Sequence, residues 1–133
     1  MRLRVSAALV LALAGAISIS CGGIVDPSQN QVEPFSGTVA PAGVSLVKFS
    51  AAKTGEIQVK MLTITPAAVQ ALGMQWVGSG DGSCNGQLWQ STIATSNATA
   101  ISTQIQSGNY CLILYDYINQ TVAANYSLTV SHP

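Results

Sequence analysis

The chain has 133 residues, 48% of them hydrophobic and only 8% charged, with five basic side chains, five acidic ones and a single histidine. That length supports one domain with a modest core, and so few ionisable groups leave little from which to build an acid–base pair or a metal cage. Nucleic-acid binding, which needs clustered Lys and Arg, and helical bundles, which draw on Glu, Lys and Arg, are both disfavoured, and no cofactor motif is present.

Met1-Arg2-Leu3-Arg4 opens the chain with two positive charges, and Val5 to Ile19 is an uncharged run of small and apolar residues. The pattern is that of a secretory signal peptide over residues 1–20; a membrane-spanning helix needs about 20 predominantly apolar residues, more than this run offers. Ser18 and Ser20 suit ordinary signal peptidase, and Ser18-Ile19-Ser20-Cys21 resembles a bacterial lipobox. In the second scheme Cys21 becomes the lipidated mature N-terminus and anchors the protein to a membrane; in the first the product is secreted. An exported chain meets an oxidising compartment, where Cys84 and Cys111 can pair and Cys21 is the odd cysteine, which favours the anchor. Gly22 after the cysteine leans towards the outer membrane over the periplasmic side of the inner one.

Loss of residues 1–20 leaves 113 residues, with Lys48, Lys53 and Lys60 against Asp26, Glu33, Glu56, Asp81 and Asp116, a net charge of minus two. Residues 21–34, through GGIVDPSQNQVEP, lack apolar periodicity and read as a flexible spacer. The domain is predicted to begin at Phe35 and run to residue 133. Residues 35–39 form a short strand, and Pro41-Ala42-Gly43 a turn. In VSLVKFSA, Val47, Phe49 and Ala51 share one face, and in GEIQVKM, Ile57, Val59 and Met61 do the same, so both are half-buried strands. Lys53-Thr54-Gly55 fits a hairpin loop between them, which makes residues 35–64 a meander.

Thr65 to Leu72 reads as one helical turn capped by Thr65, with Pro66 at its first position. Met74 to Val77 is a strand, and Gly78 to Gly86 is a loop set by its glycines. Strands follow at Gln87–Ala94 and Ala100–Ile105. GNYCLILYDY, apolar on both faces, suits a central buried strand, and the alternation from Val122 to Val130 makes a half-buried closing strand. About eight short strands at this spacing give an all-β, antiparallel β-sandwich of jelly-roll type.

FSGTVAPAGVSLVKFSA, SGNYCLILYD and ANYSLTVSHP together resemble the bacterial pre-peptidase C-terminal domain and related jelly-roll modules. The matching positions are Gly37, Pro41, Gly43, Phe49, Gly108, Tyr110, Tyr126, Leu128 and Val130. The resemblance covers residues 35–131 and implies a noncatalytic module with a structural or binding role; a cysteine pair like Cys84 and Cys111 occurs in lipoproteins similar to this one.

Cys84 and Cys111 have no CxxC spacing and no basic neighbour in sequence, as a redox or nucleophilic thiol would need, so a structural disulfide is expected. His132 is penultimate and is expected on a mobile tail, unsuited to catalysis. One histidine cannot furnish a zinc site, and Asp81 and Asp116 lie outside any calcium-loop run, so no metal is expected. Trp76, Trp89 and Tyr117 are candidates for a ligand surface, on which a glycan or a peptide from a protein partner would stack, the alternative being that they fill the core. The combined reading is a lipid-anchored, noncatalytic protein of the bacterial cell envelope, or a secreted binding module.

Overall fold

The computed structural model describes residues 26–133. The signal segment, Cys21 and the first spacer residues lie outside the described residues. Asp26 caps a single 3-10 turn at Pro27–Gln29, its carboxylate accepting from the Ser28 N–H at 2.9 Å. Eight strands follow: β1 Gln31–Val39, β2 Val44–Ala51, β3 Gly55–Thr65, β4 Ala71–Gly78, β5 Leu88–Thr95, β6 Ala98–Ile105, β7 Gly108–Tyr115 and β8 Ala124–His132.

They form two four-stranded antiparallel sheets, β1-β8-β3-β6 and β2-β7-β4-β5. The pairs β1 with β8, β2 with β7, β3 with β6 and β4 with β5 are those of one long hairpin whose two arms have been rolled up together. The β3–β8 and β4–β7 ladders then close each sheet. The result is a jelly roll. All connections except β4 to β5 pass from one sheet to the other.

Period-two alternation explains which side chains meet in the middle. Along β3 buried and exposed residues alternate, so Ile57, Val59 and Met61 point inward while Glu56, Gln58 and Lys60 face water. Val47, Phe49 and Ala51 of β2, Tyr110, Leu112 and Leu114 of β7, and Ala124, Tyr126, Leu128 and Val130 of β8 supply much of the rest of one continuous core. Tyr126 ties the two sheets together, its hydroxyl lying 2.8 Å from Ser45 Oγ across the sandwich. It passes over Gly37 on the neighbouring strand, where a Cβ would lie 2.6 Å from that hydroxyl oxygen; a residue without a side chain is what the crossing needs.

The disulfide Cys84–Cys111 is present, with a Cα–Cα distance of 5.5 Å. Cys111 lies on the outer face of the second sheet, so the bond fastens the loop after β4 over Val77 and Ile113. Lys48 Nζ adds a second tie to that loop, donating to the Gly82 carbonyl at 2.6 Å.

Four expectations need correction. The sheet starts at Gln31, not Phe35, so residues 31–34 are no part of a flexible spacer. They carry no apolar alternation to betray them and are held by backbone pairing with β8, and Pro34 is tolerated because β1 is an edge strand. Residues 35–64 are not a meander: β2 and β3 lie in different sheets, and the Lys53-Thr54-Gly55 segment is a crossover. Thr65 to Leu72 is not helical. Residues 66–70 form a turn, with the Val69 N–H donating to the Pro66 carbonyl at 2.9 Å, and Ala71 begins β4. His132, expected on a mobile tail, is the last residue of β8 and only 2% exposed. Its ring packs 5.5 Å from that of Phe49, and its Nε2–H donates to Glu33 Oε1 at 2.8 Å.

Candidate functional site

The aromatic side chains of the core form a row. Phe49 stacks on Tyr110 with ring centroids 5.7 Å apart, Tyr110 lies 5.5 Å from Trp76, and Trp76 lies 6.0 Å from Trp89. The row runs from the buried interior to the surface: Trp76 is 3% exposed and Trp89 is 49% exposed. Trp76 projects inward from β4 by alternation, as Tyr110 does from β7.

Trp89 reaches its place by a different device. In the β4–β5 ladder Trp76 pairs with Gln90 and Val77 pairs with Leu88, so Trp89 is the extra residue of a β-bulge on an edge strand. A bulge re-aims the side chain it carries. Here it turns an indole over the rim of the sandwich.

At that rim is a cavity of about 170 Å³ lined by Thr54, Trp76, Trp89, Gln104, Ile105, Gln106 and Tyr110. Thr54 comes from the β2–β3 crossover, and Gln104 to Gln106 from the end of β6 and the residue after it. The Tyr110 hydroxyl donates to the Gln106 carbonyl at 2.8 Å and so fixes that segment against the core. Burial raises the tyrosine above its ordinary value of 10.0. No charged side chain lines the cavity. Trp76 Nε1 is buried and has no hydrogen-bond partner, a state that costs about 1–3 kcal/mol.

The three aromatic candidates therefore separate. Trp76 and Trp89 meet at one site, although Trp76 is core and not surface; Tyr117 is elsewhere, two residues past the opposite end of β7 and 51% exposed. Residues 54, 104, 106 and 110 complete the cavity and carry no sequence signal for it, because they are brought together only by the crossing of β2–β3 and β6–β7 connections. Exposed apolar side chains also lie on the outer face of the β2-β7-β4-β5 sheet, Val44 and Leu46 on one edge strand and Leu88 and Ile93 on the other.

The acidic candidates are occupied. Asp81 accepts from the Ser83 N–H at 2.9 Å and also from the Ser83 hydroxyl, bonds that lower its pKa below 3.8. Asp116 accepts from the N–H groups of Ala42 at 2.9 Å, Gln120 at 3.0 Å and Ile118 at 3.2 Å, the Ala42 bond being the largest cause of a pKa below 3.8. Donors occupy Oδ1 of Asp81 and both oxygens of Asp116, and no group of three or more His, Cys, Asp or Glu suited to a metal occurs among the described residues. The lowered pKa gives Asp116 a stabilising role that is complete above the ordinary value of 3.8 and fades as pH falls through the depressed value. Replacement by Asn is expected to lower the midpoint of thermal unfolding at pH 7 and to shrink the loss between pH 5 and pH 2, as read by circular dichroism. His132 has both ring nitrogens near partners, Glu33 and, at 3.2 Å, the Pro133 carbonyl.

No protein-family model matches the chain, and no curated protein matches it in sequence. Solved structures do resemble it in fold. The pre-peptidase C-terminal domain of a collagenase from Bacillus anthracis is 19% identical with a TM-score of 0.51, the match covering 74% of this chain and 87% of that one. The mitogen derived from Yersinia pseudotuberculosis is 14% identical with a TM-score of 0.56, over 78% and 87% of the two chains. A periplasmic inhibitor of g-type lysozyme from Aeromonas hydrophila is 14% identical with a TM-score of 0.52, over 78% and 88%. At these identities the likeness is one of fold, and the fold that the sequence resemblance implied, that of the pre-peptidase C-terminal domain and related small β-sandwiches, is the fold of this chain.

Proposed function

We propose that this protein is an exported, noncatalytic module of the bacterial cell envelope, tethered to a membrane through lipid on Cys21 and acting by binding rather than by chemistry. The observation that carries the reading is the Cys84–Cys111 bond. It suits an oxidising compartment and leaves Cys21, directly behind the apolar leader, outside the one disulfide that the fold uses. The likeness in fold to a periplasmic lysozyme inhibitor and to the pre-peptidase C-terminal domain of a collagenase supports an extracytoplasmic binding role. The engagement of His132 with Glu33 and Pro133, and of Asp81 and Asp116 with N–H groups, supports a role without acid–base chemistry.

The test is to express the full chain and its Cys21→Ala variant in a lipoprotein-processing bacterium, and to read membrane fractionation and the mass of the mature N-terminus. The expected result is a diacylated or triacylated Cys21 in the membrane fraction, with the variant unlipidated and lost from that fraction. An unmodified mature N-terminus on a soluble, exported native protein would overturn the anchor and leave a secreted module.

A further inference from the structure

We propose that the rim cavity between Trp89, Trp76, Tyr110 and the Gln104–Gln106 segment binds one ring of a neutral saccharide; the inference rests on the binding role proposed above and names its ligand. Size comes first. About 170 Å³ is five or six waters' worth at about 30 Å³ each and falls short of the roughly 300–1,000 Å³ of sites that enclose a whole drug-sized ligand. The cavity therefore takes one small ring, with the remainder of an oligosaccharide lying outside along the sheet edge.

Chemistry narrows the class. The lining has no charge to pair with a phosphate, a carboxylate or an ammonium group, so an ionic ligand would lose its hydration there without compensation. What the site offers instead is the indole of Trp89 and neutral donors and acceptors from Thr54, Gln104 and Gln106 around it. A sugar ring presents the same two faces in complement: polarised C–H edges that suit the negative face of an indole, and hydroxyls that both donate and accept, as side-chain amides do.

Two features argue that the site is built and is not an incidental void. The half-exposed Trp89 is held there by a bulge, an irregularity that edge strands carry next to functional sites. The Trp76 indole N–H is buried without an acceptor, on a ring whose centroid lies 6.0 Å from that of Trp89. A ligand hydroxyl that reached this donor would supply the hydrogen bond that it lacks.

Both tryptophans of the chain line this cavity, so intrinsic fluorescence reports on it alone. The mature protein, with Trp89→Ala and Tyr117→Ala variants checked for folding by circular dichroism, is titrated with chitotriose, cellotriose and maltotriose, and with an uncharged leucine- and phenylalanine-containing peptide. The expected result is a saturable change in tryptophan emission with at least one trisaccharide. Affinity, measured by calorimetry, should fall about tenfold or more in Trp89→Ala, the loss expected for a stacking anchor, and stay unchanged in Tyr117→Ala. No response to any of the trisaccharides, a response only to the peptide, or equal affinity in the native and Trp89→Ala proteins overturns the proposal. A chain that is lipidated at Cys21 but silent to all three sugars removes the ligand and leaves the envelope reading standing.

Discussion

Replacing both cysteines of the Cys84–Cys111 bond by serine is expected to lower the free energy of unfolding by about 3–4 kcal/mol, as follows from opening a loop that spans 27 positions. Against a total stability of about 5–15 kcal/mol for a domain of this kind, that is a large share. The mechanism lies in the unfolded chain, which gains freedom when the link is cut, and in the loop after β4, which loses its seat on Val77 and Ile113. The serine hydroxyl at the buried position 111 adds a desolvation cost with no partner assured. Urea titration of the mature protein with and without reductant, in a Cys21→Ala background, measures the effect, and coincident midpoints would show that the bond contributes nothing. The same experiment bears on the cavity: Gly78, at the base of that loop, lies so close to Gly86 that a Cβ on Gly86 would collide with the Gly78 carbonyl oxygen, and the Gly78 N–H donates to the Gln87 carbonyl at 2.9 Å, two residues before Trp89.

How far the fold was legible in the sequence follows from what each segment encodes. Ile57, Val59 and Met61 alternate with charged or amide neighbours, as do the inward and outward residues of β8, and alternation is a local property that survives without knowledge of partners. Pairing is not local. Nothing in VSLVKFSA and GEIQVKM distinguishes two strands joined by a hairpin from two strands on opposite sheets, and the chain in fact crosses between them. β1 was half hidden for a related reason: Gln31 to Pro34 contribute backbone hydrogen bonds to an edge and no apolar side chain to the core. At Thr65-Pro66 a local helix-start pattern yielded to the demands of β4, which pairs on both sides and fixes where the strand must begin. The site shows the same division. Trp89 could be named as a candidate because aromatic residues outside the core are informative, whereas Thr54, Gln104 and Gln106 are ordinary polar residues whose role depends on two crossovers meeting.

Leu112→Ala is expected to destabilise the protein by about 2–5 kcal/mol, the cost of lost burial and a residual cavity, while Leu46→Ala changes stability by no more than about 0.5 kcal/mol. Both leucines belong to strands of the same sheet. Leu112 is 0% exposed and faces the core beside Val47, its partner across the β2–β7 ladder; Leu46, next to Val47 in sequence, is 50% exposed on the outer face opposite Ile113. Because side chains alternate strictly along a strand, a slip of the β2–β7 register by one residue would exchange these environments. The contrast between the two variants therefore tests the register itself, by urea denaturation under identical conditions. Equal losses at the two positions would mean that the outer face is covered in solution, by a second copy or by another surface, since Leu46 then behaves as core. A large loss at Leu112 alone fixes the inward face of β7, and with it the placement of Tyr110 beneath the rim cavity on which sugar binding depends.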